Sequence, residues 1–181
     1  MNTIRRWLSP LTLLACAAAP AAVSAADTTA APEAARFFPL VGHWKGHGEL
    51  AQPGQAPARL TLDYRCRKAA ASSAVSCELK ARNGTMSIAE SDLFGVDPVS
   101  RQGHWYAVTN QGESHDHLVE WIDAGTMKAR YAWTQDGAKM EENIAIRFDG
   151  ARGMDFRSVL TANGSEAAVF GGMLRRQARP R

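Results

Sequence analysis

Cysteine is scarce in this chain, and so are long apolar runs, blocks of like charge and catalytic signatures. The three cysteines, Cys16, Cys66 and Cys77, lack the C-x-x-C spacing that lowers a thiol pKa, so a redox-active pair is not indicated. Formal net charge is only +3 over 181 residues. Part of the basic content sits in the leader and in the tail Arg175-Arg176-Gln177-Ala178-Arg179-Pro180-Arg181. Elsewhere Lys and Arg are scattered among acids, with no stripe to follow a phosphate backbone, so nucleic acid is not an expected partner. No Gly-x-Ser-x-Gly elbow, P-loop, dinucleotide fingerprint or His-Glu-x-x-His occurs. No catalytic residue is assigned on this basis, and no cofactor is called for.

The main apolar run, Trp7 to Ala22, follows Arg5-Arg6 and is broken by Pro10 and Pro20. It is too short to span a membrane comfortably. With Ser24, Ala25 and Ala26 behind it, residues 1–26 read as a secretory signal peptide. Val23-Ser24-Ala25 offers a cleavage site. Leu13-Leu14-Ala15-Cys16 also resembles a bacterial lipoprotein box, which would make Cys16 a membrane tether. Leu14 is not the small residue usual there, so a soluble periplasmic or secreted product is the expectation. Residues 27–36 form an Ala/Pro-rich linker, 37–176 the folded body and 177–181 a basic tail.

The body is punctuated at short intervals by Pro53-Gly54, Asn83-Gly84, Asp97-Pro98, Asp136-Gly137, Asp149-Gly150 and Asn163-Gly164. Asn-Gly and Asp-Gly tolerate the positive φ of tight hairpins. Between the breakers, alternating segments predict ten strands, at 42–50, 59–67, 75–82, 85–94, 104–109, 114–122, 127–134, 140–148, 154–160 and 167–174. Short connections imply next-neighbour antiparallel pairing, and closure would remove two exposed edges. The expected fold is all-β, a single antiparallel up-and-down barrel preceded by a short helical turn in the stretch that opens at Phe37. In a hairpin joined by residues 68–74, Cys66 and Cys77 come out opposite each other, which suits a structural disulfide.

The first strand alternates Trp44 with Gly42, Gly46 and Gly48. Glycine inside a strand marks a bend or a close approach. The pattern Leu40-x-Gly42-x-Trp44-x-Gly46-x-Gly48 resembles the opening of the calycin superfamily, which includes lipocalins, fatty-acid-binding proteins and nitrobindin-like haem proteins. Together with Gly95-Val96-Asp97-Pro98 and an Arg-terminated last strand, the layout is most similar to a group of secreted bacterial calycin-like proteins. The resemblance implies that Trp44 sits at the closed barrel base, with Arg175 or Arg176 across its indole. Nitrobindin-like proteins hold haem through a histidine near the C-terminus. Here the last histidine is His117, and none follows on the final strands.

His115-Asp116-His117 puts two imidazoles on one strand face, where they could share a metal, with His104 as a third candidate. His115, His117, Val119 and Trp121 share a face, whereas Asp116 and Glu120 prefer water. His115 and His117 are therefore expected to point inward, near the open end. By parity, Leu60, Leu62, Tyr64, Val75, Leu79, Met86, Ile88, Tyr106, Val108, Tyr131, Trp133, Ile144, Ile146, Phe148, Phe156 and Phe170 also point inward. His43, His47 and Trp105 are expected outside. Tyr64, Tyr106, Tyr131, Trp133 and Glu142 would be handles for a ligand, and Glu142 would need a partner such as Arg130 or Arg157. These features suggest a non-catalytic, exported binding protein for a small apolar or amphipathic molecule. The alternatives are a metal or haem protein using His104, His115 and His117, or a filled barrel that serves as a protein-interaction module.

Overall fold

The computed structural model describes residues 33–178. The stretch expected as leader, Cys16, most of the expected linker and the last three residues lie outside the described residues. A 3-10 helix at Ala34–Leu40 opens the fold, beginning inside the stretch expected as linker because Ala34 is already buried. Ten strands follow: β1 (Gly42–Ala51), β2 (Ala58–Ala69), β3 (Ala74–Arg82), β4 (Ser87–Val96), β5 (Gly103–Thr109), β6 (Ser114–Trp121), β7 (Thr126–Gln135), β8 (Ala138–Asp149), β9 (Gly153–Ala162) and β10 (Ser165–Arg176). Each neighbours the next, and β1 pairs with β10, so the sheet closes as an antiparallel barrel. All ten sequence-predicted strands are present. The hairpins behave as their dipeptides require: Asp136-Gly137 and Asn163-Gly164 each place two successive residues at positive φ.

The closed end is built from the first strand and the last. Phe37, Leu40 and Trp44 are fully buried there, and Phe37 packs against Phe94 and Trp121. The Trp44 indole N–H donates to the Leu40 carbonyl at 2.7 Å, which ties the 3-10 helix to the barrel. Across the indole lies Arg176, its guanidinium carbon 4.3 Å from the ring centroid. The same guanidinium donates to the carbonyls of Val41 at 2.7 Å and Pro39 at 2.6 Å. Arg175 is instead turned outward toward Asp149, which settles the choice between the two arginines. Gly46 is demanded by a close approach, since a Cβ there would stand 1.8 Å from the Met173 carbonyl oxygen on β10.

Cys66 and Cys77 face each other across β2 and β3, inside the barrel, and form a disulfide. The main departure from expectation is the parity of β5. Tyr106 and Val108 face solvent at 48% and 54% exposure, whereas Trp105 points inward at 7%. The reason is polar as much as steric. Inside, the Trp105 N–H meets a buried carboxylate, and Ala107 leaves room beside His115 in the adjoining strand. Outside, the Tyr106 hydroxyl stays in water while its ring stacks on His104.

Candidate functional site

Between the capped base and the open end the barrel interior holds a cavity of about 100 Å³. Its apolar wall comes from β8, β9 and β10, chiefly Ile144, Ile146, Phe156 and Phe170. Opposite stand two polar groups.

The first is centred on Asp92 of β4, only 4% exposed. It accepts hydrogen bonds from the Tyr64 hydroxyl at 2.9 Å and from the Trp105 indole N–H at 2.7 Å. Glu90, two residues earlier on the same strand face, also lines the cavity. Burial, then the neighbouring Asp92 charge, pushes the Glu90 carboxyl well above the ordinary carboxylate range. Burial raises Asp92 as well, and hydrogen bonds from Glu90, Trp105 and Tyr64 only partly oppose it. Tyr64 is held in its neutral form, its pKa raised by burial and then by Asp92 and Glu90. The sequence pattern singles out neither Asp92 nor Glu90 as a site residue, and it puts Trp105 outside. A signal for the two acids is present on β4: Ile88 is expected inward, and period-two alternation carries that face on through Glu90 and Asp92.

The second group joins β6, β8 and β9. His117, 2% exposed, places its Nε2 at 2.9 Å from Glu142 Oε2. His115 places its Nδ1 at 3.7 Å from the same oxygen. The other carboxylate oxygen, Oε1, accepts from the Ser158 hydroxyl at 2.6 Å. Burial alone would raise the Glu142 carboxyl, but the contacts from His115, His117 and Ser158 outweigh it and hold the group well below the usual range. Aromatic rings brace the imidazoles. Tyr131 stacks on His115 at 4.7 Å, Trp133 lies 5.2 Å away, and Trp105 stands 5.0 Å from His117.

His115 and His117 thus point inward as expected, and Tyr64, Tyr131, Trp133 and Glu142 share the interior with them. Two other expectations are corrected. Tyr106 lies on the outer surface and is no handle for an interior ligand. His104 is on the outer face of β5, bonded to Asp116 at 2.9 Å, so it cannot join His115 and His117. Glu142 is partnered by the two histidines and Ser158, while Arg130 and Arg157 are exposed on the opposite face of the sheet. One ligand atom each from His115, His117 and Glu142 lies within 4.8 Å of the others. No histidine stands on β7 to β10, so the C-terminal strands offer no imidazole to ligate a haem.

These features define a closed ten-stranded antiparallel barrel with a small, partly polar interior. Three solved structures share the fold. Rv2717c from M. tuberculosis is 14% identical, with a TM-score of 0.65 over 83% of this chain and 100% of its own. The S-type phycobiliprotein lyase CPES from Guillardia theta is 12% identical, with a TM-score of 0.54 over 80% of this chain and 92% of its own. A protein of unknown function from the DUF3598 family of Nostoc punctiforme is 10% identical, with a TM-score of 0.53 over 78% of this chain and 49% of its own. No family model matches the chain, and no curated protein sequence matches it. At these identities the likeness concerns the fold.

Proposed function

We propose that this chain is an exported binding protein that holds a small, compact amphipathic molecule inside its barrel. The observation that carries the reading is the interior cavity of about 100 Å³, apolar on one side and lined by Tyr64, Asp92, His117 and Glu142 on the other. An apolar cavity of roughly 150 Å³ takes benzene, so the ligand, or the inserted part of a larger one, is at most about one small ring. Burying roughly 150 Å² of apolar surface contributes about 4 kcal/mol, equivalent to only millimolar affinity. Affinity and selectivity must therefore come from the polar wall. Export is supported by the leader-like first 26 residues and by the disulfide, which persists in oxidising compartments.

The test has two arms. Native mass spectrometry of chain taken from its own cell envelope would reveal a retained molecule. A panel of indole, benzyl alcohol and benzylamine would then be titrated against purified chain while tryptophan fluorescence is followed, since Trp105 lines the cavity. A released small molecule, or saturable quenching by one panel member, is the expected outcome. Absence of both would overturn the reading.

A further inference from the structure

The second polar group carries more than a ligand contact. We propose that His115, His117 and Glu142 form a binding site for a divalent transition-metal ion of the zinc class, with remaining coordination positions free for water or a small donor. This goes beyond the small-molecule reading and does not depend on it.

The first argument is hydrogen-bond accounting at His117. Its Nδ1 lies 3.3 Å from the Trp105 carbonyl oxygen, which can only accept, so Nδ1 carries the hydrogen. In a neutral ring, Nε2 then presents a lone pair to Glu142 Oε2 at 2.9 Å. Two acceptors at that distance require a cation between them, either a proton or a metal. His115 Nδ1 stands 3.7 Å from the same oxygen, beyond hydrogen-bond distance but at the separation of two ligands of one ion.

The second argument is geometric. A tetrahedral shell with bonds near 2.0–2.1 Å has ligand atoms about 3.4 Å apart. The two measured edges, 2.9 and 3.7 Å, bracket that value, and the three atoms lie within 4.8 Å of one another.

The third concerns what orients the ligands. Metal-binding imidazoles characteristically donate their other N–H to a carbonyl, and bound carboxylates are themselves hydrogen-bonded. His117 has Trp105 in the first role, and Ser158 ties Oε1 of Glu142, leaving Oε2 as the ligand atom. Two imidazole nitrogens and one carboxylate oxygen suit zinc and its late first-row neighbours, whereas calcium and magnesium prefer all-oxygen shells. Three protein ligands also leave a position for exchange.

The experiment uses the full chain without an affinity tag, stripped with a chelator and titrated with zinc chloride by calorimetry. Cobalt(II) absorption reports the geometry. One equivalent of zinc is expected, with a tetrahedral cobalt spectrum. His115→Ala and Glu142→Gln should each weaken binding at least ~10-fold. His104→Ala, on the outer face, should leave it unchanged. Unfolding curves for each variant separate lost affinity from lost fold. His115→Ala, which removes a half-buried ring at the open end, is the decisive variant should Glu142→Gln fail to fold. No stoichiometric binding would overturn the proposal, as would zinc affinity indifferent to His115→Ala. Affinity lost on replacing His43, His47 or His104 would identify a surface histidine contact instead and would overturn it equally. Failure here would leave the fluorescence titration untouched, because that assay contains no metal.

Discussion

Glu90 and Asp92 show how a single pair of residues sets the pH response of the molecule. Both carboxyls are raised above the ordinary range, by burial first and, for Glu90, then by the charge of Asp92, with Glu142 and Glu113 adding to the effect. In the unfolded chain they titrate near 4. Between that value and the raised native one, the folded chain binds more protons than the unfolded chain, so stability falls as pH rises. Glu142 has the opposite sign. Its depressed pKa gives a contribution that is present above about 4.3 and is lost as pH falls below it. The Glu90–Asp92 pair therefore contributes a decline in stability as pH rises above the ordinary carboxylate range. Glu90→Gln removes one of the two like charges and keeps an N–H donor for Asp92. It is expected to gain stability relative to the parent as pH rises from 5 to 8. Urea unfolding at the two pH values measures this, and a variant that gains nothing on the parent between them would contradict it.

At the scale of elements, the junction of β1 and β10 closes the barrel and tolerates least. Gly46→Ala would force a Cβ into the Met173 carbonyl, and an expected loss of about 3 kcal/mol follows from overpacking against backbone. Gly84, where a Cβ would meet nothing within 4 Å, provides the control. Gly84→Ala should change stability by less than about 0.5 kcal/mol, and equal effects at the two sites would refute the closure argument. The β2–β3 hairpin is held differently. Its disulfide spans 11 residues of sequence, so Cys66→Ala with Cys77→Ala should cost about 3 kcal/mol, read as a shift in denaturation midpoint. The hairpin was legible in the sequence because paired cysteines and a short loop fix the register. Strand faces were legible only where the two sides differ. On β6 two acids oppose a tryptophan, and the inward face follows. On β5, Trp105 and Ala107 compete with Tyr106 and Val108, both faces are apolar, and alternation alone cannot choose. What decides is Asp92, an acceptor on the neighbouring strand, which no pattern internal to β5 contains.

The whole molecule was the most legible scale, because turn dipeptides at short intervals force neighbouring strands to pair and leave closure as the way to protect both edges. The interior was less so: the side chains facing inward can be counted from sequence, but the space left between them cannot. That space has an energetic consequence. A cavity of about 100 Å³ would cost roughly 2 kcal/mol if dry, at the usual cavity coefficient. A barrel that only needed to fold would gain by filling it. Ile146→Phe adds volume from the apolar wall without touching Glu90, Asp92 or Glu142, and is expected to stabilise the ligand-free chain by up to about 1 kcal/mol. The same change should abolish the response to whichever of indole, benzyl alcohol or benzylamine the parent binds. For the parent, that compound at a hundredfold excess over its Kd should raise stability by about 2.7 kcal/mol, or ~8 °C in Tm for a body of this size. Thermal melts of both chains, with and without the compound, measure the two effects together. A filled variant that still responds would place the ligand outside the cavity. A variant that gains stability and loses the response would show that the volume is kept open for an occupant.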